Sequence, residues 1–366
     1  MRHPRLFKPE SIANVQVENQ IVDTLECLET RIIIGLQAFG HHLNRTLLIR
    51  GESDVIVVSM LARLQKIIVC GLLFAALGVG GCVMRHGSLA AALLAGLVFL
   101  LLSLGVYAGA LGIEFGLART VNARSACAVA TWRKTGSAWW HEVITGPMLF
   151  CWRQPFRTNA VPDNFTPAPD ANGRQGVVFV HGFFCNRAFW SPWMARLQTT
   201  GRVYVAISLE PVFGSVDDYR LPIHNAVRRV TAASGVVPLL VCHSMGGLAV
   251  RAWLAEQPTD GPTYHVVTIG TPHRGTWLAR WGRSTNARQM QLGSAWLARL
   301  NEAQAAPSPH HFTCWYSTTD NIVFPSSTAT LPGADNRELQ GIAHVQMAFL
   351  PQVMDETLAM LKNKPV

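Results

Sequence analysis

Charge is scarce in this chain of 366 residues: Asp, Glu, Lys and Arg supply 14% of it while hydrophobic residues supply 49%, against roughly 25% charged residues in an average soluble domain. Such a composition is skewed away from that of an average soluble domain, and some of the chain is expected to sit in lipid. The eight cysteines, at 27, 70, 82, 127, 151, 185, 242 and 314, include no Cys-x-x-Cys pair and no Cys/His run at metal-ligand spacing. They read as buried free thiols of a reducing compartment, with one disulfide among Cys185, Cys242 and Cys314 left open. No metal and no organic cofactor is implied. A basic stripe interleaved with stacking aromatics is also missing, so the formal net charge of +9 does not point to nucleic acid. Nor does the start carry a basic region running straight into an apolar stretch and a small-residue cleavage site, so it is not read as a signal peptide.

What is present divides the chain. Up to residue 159 there are 15 Lys+Arg against 9 Asp+Glu, or +6, and beyond it 16 against 13, or +3; this excess beside the apolar segments suits an anionic membrane surface. Ile12, Val15, Ile21, Leu25 and Leu28, interleaved with Glu18, Asp23, Glu26 and Glu29, predict an amphipathic juxtamembrane helix within residues 1–62. Ile67 to Met84 is an uncharged run of 18 residues and Leu89 to Ile113 one of 25, separated by Arg85-His86-Gly87-Ser88. As helices they would reach about 27 and 38 Å against a hydrocarbon core of about 30 Å. The short link makes residues 63–118 an antiparallel transmembrane hairpin, the alternative being two buried core helices.

Arg50, Arg63 and Lys66 precede the hairpin, Arg119, Arg124, Arg133 and Lys134 follow it, and only Arg85 lies in its loop. Both termini are therefore expected on the cytoplasmic face, that of the inner membrane if the source is bacterial. Residues 119–173 are a connecting segment, and Pro147, Pro155, Pro162, Pro167, Pro169 and Gly173 give its end the composition of an extended linker.

Residues 174–366 form the second domain. Short apolar runs at Val177–Val180, Val203–Ile207, Leu239–Cys242, Val266–Ile269 and Phe312–Tyr316 alternate with helical stretches. Near-continuous apolar strands spaced by crossover helices predict an α/β class domain, a mostly parallel sheet with helices on both faces.

Leu239-Leu240-Val241-Cys242-His243-Ser244-Met245-Gly246-Gly247 is a strand that ends in a serine and opens a helix among small residues. A serine on a tight strand-to-helix turn is held with its hydroxyl exposed above the sheet, which makes Ser244 the candidate nucleophile. Here the chain resembles the α/β-hydrolase superfamily, and within it the bacterial lipases and esterases. It departs from the Gly-x-Ser-x-Gly pattern in having Cys242 where the first glycine belongs. Cys242 and Cys185 are themselves rival nucleophiles, though neither sits at the apex of the turn.

The resemblance implies the chain order Ser, acid, His. It assigns the acid to Asp320 in Asp320-Asn321-Ile322-Val323-Phe324-Pro325 and the base to His344 in Gly341-Ile342-Ala343-His344. Asp335 and Glu338 are the fallback acids, and His310 or His311 would serve as base only if Asp320 were wrong. Val177-Val178-Phe179-Val180-His181-Gly182-Phe183-Phe184 resembles the oxyanion-loop motif of the same lipases, so the backbone amides of Phe183 and Met245 are the candidate oxyanion hole, worth about 3 kcal/mol per donor.

Thr271-Pro272-His273-Arg274-Gly275 resembles another lipase segment, for which an architectural role is expected, with no chemistry for His273. The stretch holding Trp277, Leu278, Trp281, Leu292, Trp296, Leu297 and Leu300 reads equally as a lid or pocket wall and as core. The expected function is that of a membrane-anchored serine ester hydrolase, a lipase or esterase acting on lipid or ester substrates. The alternatives are acyl transfer or thioester cleavage by the same residues, or a scaffold that keeps the fold without the chemistry. Chain length of the acyl group, head group and oligomeric state are not legible.

Overall fold

The computed structural model describes residues 59–125, 127–167, 173–304 and 310–362. The amphipathic helix expected before residue 30 lies outside them. Val58–Arg280 and Thr285–Val366 form one compact unit. Trp281–Ser284 fall outside that unit.

Two long helices lead. Helix α1 is Met60–Met84, capped by the Ser59 side chain, and α2 is Leu89–Arg124, capped by Ser88. Both caps satisfy amides that a first turn leaves without partners. The helices approach closely where residues are small: a Cβ on Gly80 would lie 2.9 Å from the Ala92 carbonyl oxygen. Helix α2 runs eleven residues past the end of its apolar run, and that extension is not lipid-like. Phe115, Ala118, Val121 and Asn122 are buried along one face, at the three- and four-residue spacing of a packed helical stripe.

Helix α3, Trp132–Pro147, follows and continues into helical turns at Met148–Arg153 and Gln154–Phe156. The first part of the expected extended linker is therefore helical, and Leu149, Gln154 and Pro155 are buried. Pro155 sits in the first turn of Gln154–Phe156, where a missing N–H is tolerated, and Pro147 is the last residue of α3.

The sheet has six parallel strands in the order β2-β1-β3-β4-β5-β6, with β1 Val177–Val180, β2 Tyr204–Ile207, β3 Leu239–His243, β4 His265–Ile269, β5 His311–Ser317 and β6 Asp335–Leu339. The first five match the apolar runs; β6, Asp-Asn-Arg-Glu-Leu, was not expected. It is a largely exposed edge strand, so it carries no apolar run.

Alternation along the strands feeds two cores. Val178, Val180, Leu240, Cys242 and Val266 face one layer, with α4 Arg220–Ser234, α5 Met245–Leu254 and α6 Ala295–Ala303. Val177, Phe179, Leu239, Val241 and Val267 face the other, with Trp190, Trp193 and Met194 and with Val353 and Met354 of α7 Pro351–Ala359. Leu297 and Leu300 belong to the first core, so that part of the expected lid stretch packs as core.

Candidate functional site

Strand β3 ends at His243 and α5 begins at Met245, leaving Ser244 as the single residue of the bend, at φ 52° and ψ −130°. A non-glycine residue at positive φ is strained and persists only where neighbours hold it. Ser244 N–H donates to the Ile269 carbonyl at 2.9 Å, and Thr271 Oγ1 donates to the Ser244 carbonyl at 2.9 Å. Crowding dictates the small residues around it: a Cβ on Gly182 would lie 2.6 Å from Ser244 Cβ, and one on Gly246 2.5 Å from the carbonyl oxygens of Val180 and His181. Cys242 is fully buried and burial pushes its thiol pKa well up; burial likewise pushes Cys185 up to about 12. Neither has the thiolate character of a nucleophile, and all seven described cysteines are free.

The loop after β1 is set by His181. Its Nε2 accepts from Leu209 N–H at 3.0 Å while Nδ1 faces the Gly182 carbonyl at 2.8 Å. Burial lowers its pKa to about 4, so the ring is neutral and its role is to fix the turn. That turn brings Gly182 against Ser244, with Phe183 next in the chain. Among the described residues no hydrogen bond engages the N–H of Phe183 or of Met245.

Asp320 follows β5 and His344 opens a short helix, His344–Met347, beyond β6. The two are 24 residues apart and their side chains meet: His344 Nδ1 lies 2.8 Å from Asp320 Oδ2, both residues buried. The other oxygen, Oδ1, accepts from Ile322 and Val323 N–H at 2.8 Å each, which fixes the carboxylate plane. An Nδ1–H directed at Asp320 leaves Nε2 as the basic nitrogen of the neutral ring. Burial opposes charge on His344, and the Asp320 carboxylate with its hydrogen bond outweighs burial, so the pKa is raised; Glu142 and Glu114 add in the same direction.

The His344 ring also lies against His243, with centroids 4.6 Å apart, and His243 Nε2 is 3.3 Å from the His344 carbonyl oxygen. His243 in turn stacks on Phe189 at 4.5 Å. Ser244, next to His243, thus shares one corner of the sheet with the Asp320–His344 pair.

The rival residues are engaged elsewhere. Asp335 bonds Arg337, and Glu338 accepts from Tyr316 and Gln340. His311 starts β5 at the opposite end from Asp320, with His310 before it. His273 is buried against Thr268 and Cys314. Three contributors to the corner were not anticipated: Asn321, whose Oδ1 accepts from His344 N–H at 3.3 Å, and two acids from outside the α/β domain, Glu114 and Glu142. Asn321 was visible only as a neighbour of Asp320, and nothing local marks Glu114 or Glu142 except rarity, since they are the only acids between residues 55 and 159. Among the described residues no group of three or more His, Cys, Asp or Glu is arranged to hold a metal ion.

Residues 177–358 match the model of the Alpha/beta hydrolase family. No curated protein matches the chain by sequence. Among solved structures the chain is similar to the mature lipase BlEst2 of Bacillus licheniformis, at 18% identity and TM-score 0.43 over 51% of this chain and 94% of that one. It is similar also to lipase B of Aspergillus fumigatus, at 17% and 0.46 over 53% of this chain and 52% of that one. A third is the monoacylglycerol lipase of Paleococcus ferrophilus, at 16% and 0.38 over 51% and 96%. A parallel six-stranded sheet with helices on both faces, together with the family match, gives the segment from 177 to 358 the alpha/beta hydrolase fold.

Proposed function

We propose that this protein is a serine ester hydrolase held at a membrane by α1 and α2. The observation that carries the reading is the buried 2.8 Å contact of His344 Nδ1 with Asp320 Oδ2 at the corner where Ser244 occupies a strained bend at φ 52°. In this reading Ser244 Oγ attacks the ester carbonyl and His344 Nε2 takes its proton. Charge developing on the carbonyl oxygen is met by the amides of Phe183 and Met245. His344 then returns the proton to the leaving alcohol, and water hydrolyses the acyl-enzyme by the same route. Asp320 keeps the imidazole in the required tautomer and stabilises its charged form.

Lipid contact is supported by where apolar side chains are exposed. On α1 they run from Ile67 to Met84 and on α2 chiefly from Leu89 to Val106, lengths of about 27 Å each at 1.5 Å per residue, close to a hydrocarbon core. Both helices are long and apolar enough to cross a membrane. The domain ends of the pair are different: Leu61, Ala62 and Gln65 of α1 are buried, as are Leu111 and Phe115 of α2, and Met60 N–H donates to Glu210 at 2.9 Å. Such a seating holds the α/β domain beside the bilayer, where an ester that partitions into lipid is most concentrated.

The test is labelling of the detergent-solubilised protein with a fluorophosphonate probe, alongside hydrolysis of p-nitrophenyl butyrate. Wild type is expected to label and to turn over. Ser244→Ala is expected to abolish labelling and to lower kcat by about 10³-fold or more. A folded wild-type protein that neither labels nor hydrolyses any ester offered to it is a scaffold, and the reading is lost.

A further inference from the structure

The α/β domain does not hold its own histidine unaided. Three consecutive amides at the start of the His344–Met347 helix lack intrahelical partners, as any first turn does, and all three are satisfied by side chains. His344 N–H donates to Asn321 Oδ1 at 3.3 Å, Val345 N–H to Glu142 Oε1 at 3.1 Å and Gln346 N–H to Glu142 Oε2 at 3.3 Å. Asn321 is itself tied down, its Nδ2 donating to Glu114 Oε2 at 2.9 Å. Glu142 comes from α3 and Glu114 from α2, both outside the family-matched segment. Apolar packing follows the same route, since Phe115 of α2 and Ala138 of α3 pack with Ala343, the residue before His344.

Placement of these acids is costly. Burial pushes the Glu142 carboxyl up to about 7, against the opposing pull of His344 and of the two amide hydrogen bonds. A buried acid used only as a helix cap is replaceable by an uncharged acceptor, whereas here two acids surround one imidazole, and in their ionised form, above about pH 7, their field favours the imidazolium that forms when Ser244 gives up its proton.

We infer that Glu142 directly, and Glu114 through Asn321, are positioning residues for the His344 imidazole, so that α2 and α3 complete the hydrolase site. The inference rests on the Ser244–His344–Asp320 reading. The titratable groups facing His344 are Asp320, Glu142, Glu114 and His243; those facing Glu142 are His344 and Asp320, with Tyr107 of α2 donating to its backbone carbonyl.

The experiment compares wild type, Glu142→Gln and Glu142→Ala as full-length protein in detergent, measuring kcat and KM for p-nitrophenyl butyrate and fluorophosphonate labelling rate from pH 5 to 9. His344 must be neutral to act as base, so activity rises with pH through its raised pKa. Removing a neighbouring negative charge lowers that pKa, and the acidic limb of kcat/KM is expected to move down by about half a unit or more in Glu142→Gln. With it kcat falls about 10- to 100-fold while KM changes little, because a misplaced base affects the reacting step.

An unchanged kcat and limb in Glu142→Gln overturns the inference, and so does a lower kcat with an unmoved limb, which makes Glu142 merely structural. If Glu142→Gln does not fold, Glu114→Gln decides, with the same downward movement expected and an unmoved limb overturning it. A wild-type protein that neither labels nor hydrolyses removes the serine hydrolase reading itself, and the inference with it.

Discussion

Cys242 is the residue at which the chain departs from the pattern it resembles, and its surroundings explain why the departure is tolerated. It lies two positions before Ser244 in β3, paired in register with Val180 and Thr268, with no exposed surface. The steric demand at this corner falls instead on Gly182 and Gly246, where added side chains would meet Ser244 and the β1 carbonyls. A sulfur atom fits where Cys242 points, and burial keeps its proton on. Cys242→Ala is therefore expected to retain fluorophosphonate labelling and kcat within about threefold, at a stability loss of about 1 kcal/mol for the small void left behind. Labelling rates and thermal unfolding of the two proteins check this, and abolished labelling would return Cys242 to the chemistry. Ser244, Asp320 and His344 could be proposed from sequence because each stands in a short phrase at the end of a strand or the start of a helix. Glu142 could not, because its role depends on contacts with residues more than 200 positions away.

Elements show the same division between what local pattern encodes and what tertiary packing decides. Five strands were readable because burial on both faces leaves apolar residues at nearly every position, as in Leu239-Leu240-Val241-Cys242; β6 was not, being a polar edge. The two apolar helices were readable by length, but the last eleven residues of α2 were not assigned to the hydrolase site, because one buried face in three or four positions resembles any amphipathic turn. Those residues matter through Asn122. Its Nδ2 donates to the Thr318 carbonyl at 3.3 Å and its Oδ1 accepts from Ser326 N–H at 2.8 Å, bracketing the loop that carries Asp320 and Asn321. Nearby, Ala118 and Val121 pack with Phe324. Asn122→Ala leaves a buried carbonyl and a buried amide without partners, a loss of about 1–3 kcal/mol for each. The expected outcome is a melting temperature lowered by several degrees together with slower labelling of Ser244. A variant as stable and as fast as wild type would show α2 to be indifferent to the acid loop.

For the whole molecule the deciding quantity is the apolar surface that the α/β domain does not cover. Eight large apolar side chains on α1 and ten on α2 are more than a third exposed. At about 1 kcal/mol for each half-exposed side chain, covering them with an apolar medium would contribute nearly 20 kcal/mol. The proposed membrane anchor rests on this surface, because the exposed band is close to a hydrocarbon core in length and lies chiefly beyond the parts of both helices that are buried against the domain. An orientation is expected from the same arrangement. The start of α1 and the end of α2 both lie at the domain, so the Arg85–Ser88 loop is the far end, and of the eight lysines and arginines near the ends of the pair it holds one, the flanks holding seven. The protein is expected to resist extraction from membranes by alkaline carbonate and to yield to detergent. A fluorescent protein fused after Val366 is expected to light up, whereas alkaline phosphatase at the same place stays inactive. Release by carbonate would remove the membrane from the account, and an active phosphatase fusion would keep the membrane but turn the hydrolase domain to its other side.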